Sequence, residues 1–113
     1  MPHCVIEYTK DCLKTANVDD LIKAVFDGAM ASDLFDQSHI KVRAKGYDDF
    51  FCGSGDHGQC HVTLRILAGR TAQQKNSLSQ LVLSKLKPLM PHIANISVEV
   101  KDLERDSYVK KSF

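Results

Sequence analysis

The chain has 113 residues, 43% hydrophobic and 26% charged, with 15 basic side chains against 14 acidic ones and a net charge of +1. That length predicts one domain able to bury about two-thirds of its unfolded surface without disulfides or metals, and the near-neutral balance excludes a global field that recruits nucleic acid or an anionic membrane. No apolar run approaches the roughly 20 residues that span a bilayer, the first residues lack the pattern of a secretory signal, and a cytoplasmic protein is expected.

The chain opens "MPHCVIEY", with Pro2 directly behind Met1. Residues 4–8 alternate apolar with polar positions, which predicts a half-buried strand. Asn17 then stands as a helix cap with Asp20 in the first turn, and Ile22, Val25, Phe26, Ala29 and Met30 recur at helical spacing. Ile40, Val42 and Ala44 mark one face of a second strand. "GYDDFFCGSGDHGQ" (46–59) reads as a strand end or short hairpin followed by a loop. Residues 62–66 form the third strand, Thr71 caps a second helix carrying Leu78, Leu81, Val82 and Leu86, and Pro88 and Pro91 help to end it. Ile96, Val98 and Val100 mark the last strand. In the tail "ERDSYVKKSF" (104–113), an isolated chain is expected to fray, whereas an oligomer has a neighbour on which Tyr108 and Phe113 can dock.

An offset of 56 aligns the two halves: Cys4 falls on Cys60, Ile6 on Val62, Ile22 on Leu78, Val25 on Leu81 and Val42 on Val98. The chain therefore reads as one domain of two βαβ pseudo-repeats, about 2–57 and 58–113. The expected class is α+β, a four-stranded mixed sheet with two helices on one face. The other face would carry His61, Thr63, Arg65 and Leu67, then Lys41, Arg43 and Lys45, then Ser97, Glu99 and Lys101. Such a mixed face is either solvated or pairs its charges with other subunits about a symmetry axis.

Two features bear on chemistry. Pro2 is either an ordinary strand start or, once Met1 is removed, a secondary amine with a reference pKa of about 8. It lies in phase with Cys4 and Ile6, so burial and nearby cations would lower that pKa and leave a neutral general base. Arg70 follows the strand end at Ala68-Gly69 and precedes a helix N-terminus, where a guanidinium can grip a carboxylate at two points, or can simply pair with a neighbouring acid or face solvent. Cys4, Cys12, Cys52 and Cys60 lack the spacing of zinc or redox motifs and are expected reduced. The neighbours His3-Cys4 and Cys60-His61 point to opposite faces of their strands, so no metal site is expected.

Taken together, "MPH", "HVTLRILAGR" (61–70) running into an amphipathic helix, and "ISVEVKDL" (96–103) resemble the 5-carboxymethyl-2-hydroxymuconate isomerase family. That family lies within the tautomerase superfamily, beside 4-oxalocrotonate tautomerase and macrophage migration inhibitory factor. The resemblance implies removal of Met1, Pro2 as catalytic base and Arg70 as ligand of a substrate carboxylate. It further implies a cofactor-free proton shift within an unsaturated 2-hydroxy or 2-keto dicarboxylic acid, and a homotrimer with active sites near subunit boundaries. One departure stands out: the family's Ile-Arg-x-Arg is Ile40-Lys41-Val42-Arg43 here, so Lys41 and Arg43 are the expected further substrate contacts, with lysine lacking the planar fork of arginine. That departure also recommends the alternative, an oligomeric binding protein that keeps the scaffold without the chemistry. A base-stacking nucleic-acid sheet, a third reading, is disfavoured, because 62–66 carries no alternating aromatics and the charge balance is near neutral.

Overall fold

All four segments with period-two alternation form strands: β1 (His3–Thr9), β2 (Lys41–Tyr47), β3 (Gln59–Leu67) and β4 (Asn95–Leu103). Helix α1 (Val18–Ala31) joins the first two and α2 (Ala72–Leu86) the last two, in a computed structural model that describes residues 1–55 and 57–112. Each crossover makes its strands parallel, and the units meet through antiparallel β1 and β3, giving a mixed sheet of order β2-β1-β3-β4. Cys4 pairs with Val42 but Cys60 with Ile96, so the first crossover carries two residues more than the second. The even number keeps the same strand faces inward in both halves.

Both helices cover one sheet face. On that side Cys4, Ile6, Cys60, Val62, Leu64 and Ile66 are at most 1% exposed and meet Leu21, Val25, Leu78, Val82 and Leu86 from the helices. All four cysteines are free thiols, and burial pushes those of Cys4 and Cys60 up to about 12, which removes them from thiolate chemistry at neutral pH.

Capping boxes start both helices. The Asn17 side chain accepts from Asp20 N–H at 2.9 Å while the Asp20 carboxylate accepts from Asn17 N–H at 3.0 Å; Thr71 and Gln74 repeat the exchange at 3.1 and 2.9 Å. The inward face of α1 is rotated from the expected stripe. Leu21, Ala24, Val25, Gly28 and Ala29 are buried, whereas Ile22, Phe26 and Met30 are half-buried. The cause is Gly28, where a Cβ would fall 2.7 Å from Val82 Cα and 3.1 Å from Val82 N. The helices touch backbone to backbone there, and hydrophobicity scales give no weight to a glycine that marks such a contact.

After β4, a 3₁₀ turn (Arg105–Ser107) folds the tail back on its own chain. Arg105 Nε donates to Ala68 O at 2.7 Å, and Tyr108 packs on the core with its ring edge against His3, centroids 6.0 Å apart. The expected fraying is thus replaced by intrachain docking as far as Tyr108; Phe113, the other expected anchor, lies outside the described residues. In the 46–59 loop, β2 runs to Tyr47, whose hydroxyl donates to the Glu7 carboxylate at 2.5 Å, and Phe51 stands 85% exposed.

Candidate functional site

The chain start is built into the sheet. Pro2 O accepts from Lys41 N–H at 3.0 Å, continuing the β1–β2 pairing, and the Met1 ammonium donates to His39 O at 3.0 Å. Pro2 is fully buried, in phase with Cys4 and Ile6, and Met1 is 9% exposed. With Met1 attached, the Pro2 nitrogen is an amide and the terminal charge belongs to Met1. Burial, then the Lys41 and Lys110 charges, lowers that ammonium's pKa below its ordinary 8.0.

Two cavities meet at Met1. One, about 150 Å³, is walled by Leu34, Phe35, Asp36, His39, Leu67 and Arg70; the other, about 360 Å³, by His39, Leu67, Arg105, Tyr108 and Lys110. Asp36 is the acid of the first, and its carboxylate caps the turn by accepting from Ser38 N–H and Oγ. Gly69, with φ +129°, bends the chain out of β3 in a conformation costly for other residues, and Arg70 follows. The Arg70 guanidinium lies over the Phe35 ring, 5.5 Å from its centroid, and one nitrogen donates to Leu34 O at 2.9 Å. Those contacts hold it in place and leave further N–H groups for an anion.

Lys41 and Arg43 project from the uncovered sheet face. Lys41 Nζ donates to His39 O at 3.3 Å and lines a third cavity of about 700 Å³, shared with His3, Tyr108, Lys110 and Lys111. Arg43 Nη1 donates to His3 Nδ1 at 3.3 Å, and His3 Nε2 meets Tyr108 Oη at 3.0 Å. The structure thus puts Arg70 in a cavity at Met1 and Lys41 in an adjoining one, while Arg43 is engaged with His3 and lines none of the three. Sequence reasoning took Tyr108 only as a docking anchor and passed over Arg105 and Lys110. Their signal was the basic, aromatic tail, which needed a fold to show where it returned.

Burial, followed by Arg43, the terminal ammonium, Lys41 and Arg65, pushes the His3 pKa below 6.5. The unfolded chain therefore takes up this proton first on acidification, and stability falls from about pH 6.5 downward until the folded-state pKa is passed. A His3→Gln variant, followed by melting temperature against pH, is expected to lose that part of the acid slope. An unchanged slope would remove His3 as its source.

Elsewhere on the same face, His61 Nδ1 contacts Ser97 Oγ at 2.6 Å and Nε2 contacts Glu99 Oε2 at 2.5 Å. The His61 hydrogen bond holds the Glu99 carboxyl below the usual carboxylate range. Cys4 and Cys60 point into the core, away from His3 and His61, and no group of three or more His, Cys, Asp or Glu among the described residues is arranged to hold a metal ion.

Comparison with known proteins gives a consistent result. Residues 2–112 match the family model described as 5-carboxymethyl-2-hydroxymuconate isomerase. A curated relative, the 5-carboxymethyl-2-hydroxymuconate Delta-isomerase of Escherichia coli, is 23% identical over 110 residues, covering 91% of this chain and 87% of the relative. Among solved structures, a 5-carboxymethyl-2-hydroxymuconate isomerase from Deinococcus radiodurans R1 superposes with a TM-score of 0.80 at 20% identity, covering 99% of this chain and 90% of that one. A fused 4-OT described as a symmetric trimer superposes with a TM-score of 0.76 at 17% identity, covering 91% and 86%. These structural likenesses establish the shared fold.

Proposed function

The chain belongs to the 5-carboxymethyl-2-hydroxymuconate isomerase family, and from that premise we propose that it moves a proton between carbons of an unsaturated 2-hydroxy or 2-keto dicarboxylic acid, with the amine of Pro2 as general base after removal of Met1. The observation that carries this reading is the place of Met1. The residue that excision takes away is, with His39 and Leu67, a wall shared by two cavities, with Arg70 on one side and Arg105 and Lys110 on the other. Its loss would join them around the Pro2 nitrogen.

In that setting the amine inherits the surroundings that already lower the Met1 ammonium's pKa: burial, Lys41 and Lys110. A neutral amine accepts a proton from one substrate carbon, the electron pair moves onto the 2-oxygen as a dienolate, and the resulting ammonium returns the proton to another carbon. Arg70 holds one carboxylate and Lys41 supplies a point charge near the developing anion. Arg43 serves through His3. Three chains would close their uncovered sheet faces about a common axis, setting charges such as Arg65 and Lys101 against those of neighbouring chains.

Intact-mass measurement tests the premise of the chemistry: the dominant species should be lighter by one methionine, and retention of Met1 overturns the base assignment. For Arg70→Gln, loss of a charge-assisted contact worth about 1.5–3 kcal/mol predicts a 10- to 100-fold rise in KM for 2-hydroxymuconate. An unaltered KM would remove Arg70 from substrate recognition. Lack of turnover across a panel of unsaturated keto acids by protein shown to begin at Pro2 would favour the binding-protein alternative.

A further inference from the structure

The His3 contacts fix a proton that the proposed chemistry can use. A guanidinium only donates, so the Arg43 Nη1 contact at 3.3 Å requires a lone pair on His3 Nδ1. A cationic ring has none, and its burial among Arg43, Lys41, Arg65 and the chain terminus opposes protonation in any case. The neutral ring then carries its single N–H on Nε2, which donates to Tyr108 Oη at 3.0 Å. Tyr108 is therefore the acceptor in that bond, and its own hydroxyl hydrogen remains to be donated elsewhere.

The direction matters because of where Tyr108 sits. The 3₁₀ turn and the Arg105–Ala68 bond bring it back to the chain start, and it borders both the cavity walled by Met1 and the one holding Lys41. His39 and Lys110 border both as well, but Tyr108 is the member of the three whose polar tip is oriented by a side-chain hydrogen bond. A phenol that receives a hydrogen bond from an imidazole is a better donor to an anion, because electron density shifts along the chain of bonds.

We propose that Tyr108 is a further catalytic residue of this site, its hydroxyl donating a hydrogen bond to the 2-oxygen of the dienolate, with His3 and Arg43 as the positioning residues that aim it. This rests on the reading of Pro2 as base. No proton leaves Tyr108: the base carries the transferred proton throughout, and the phenol strengthens its hydrogen bond as negative charge collects on the oxygen. The assignment also gives Arg43 a task that does not require it to touch substrate.

The test uses full-length protein whose N-terminus has been verified by mass, with 2-hydroxymuconate as probe. Removing one oxyanion donor costs about 10²- to 10³-fold in kcat, so Tyr108→Phe should lose that in kcat with KM changed less than about threefold and with an unchanged oligomer size and melting curve. His3→Gln keeps an acceptor for Arg43 and an N–H for Tyr108 and should retain most of the activity; His3→Leu should match Tyr108→Phe. If Tyr108→Phe does not fold, 3-fluorotyrosine at position 108 keeps the shape and acidifies the phenol, and the alkaline limb of the kcat–pH profile should move to lower pH. An unchanged kcat in Tyr108→Phe, or an unmoved limb, overturns the role of Tyr108 while leaving Pro2 standing. Full activity in Pro2→Ala overturns the base assignment on which it rests, and absence of turnover by the native chain overturns both.

Discussion

A Pro2→Ala variant is expected to lose about 10²-fold or more in turnover of 2-hydroxymuconate while remaining folded. General acid–base catalysis contributes about 10²- to 10⁴-fold, and alanine retains a base of lesser quality, so the loss lies toward the lower figure. Alanine is small enough for Met1 still to be removed, which leaves a primary amine where proline leaves a secondary one. The ring that fills the fully buried position 2 and fixes the backbone angle is lost with it, so the nitrogen is less firmly aimed. Mass and melting temperature separate this chemical loss from failed processing or unfolding. Acylating the amine of native protein should abolish activity, and full turnover after quantitative acylation would exclude the nitrogen as the base.

The largest effect on stability is expected at Gly28. A Cβ there meets the Val82 backbone at 2.7 and 3.1 Å, so no side-chain rotation relieves the clash and the helices must move apart. Overpacking of this kind costs about 1–3 kcal/mol, against which alanine returns about 1 kcal/mol of helix propensity. Gly28→Ala should thus lose up to about 2 kcal/mol, and Gly28→Leu about 3 kcal/mol or more, the latter a fall of roughly 10 °C in melting temperature for a chain of this size. Gly53, with open space where a Cβ would go, is the control and should tolerate alanine with little change. Equal melting curves for the Gly28 and Gly53 variants would contradict the close helix contact.

Local pattern carried most of the architecture. Alternation along 4–8 and 62–66 marked the central strands, and Asn17 and Thr71 marked the helix starts where capping boxes form. Periodicity misjudged the inward face of α1 because Gly28, which sets it, has no side chain to register. Of the proposed site, Pro2 and Arg70 stood out by their places at a strand start and before a helix N-terminus, whereas Lys41 was singled out only through the family resemblance. The tail was not legible: Tyr108 meets His3 across 105 positions, and Arg105 meets Ala68 across 37. Contacts at such separations are set by the return of the chain after β4, and no window of sequence contains both partners.

The antiparallel meeting of β1 and β3 gives the sheet two similar ends, and only one of them begins a polypeptide. At the other, the offset of 56 puts Gly58 opposite Pro2, and its nitrogen is locked in an internal peptide bond. With Pro2 as base, the number of reactive centres equals the number of chains and not the number of βαβ units. A reagent selective for the proline amine should silence the protein at one equivalent per chain, three for a trimer, and not at two.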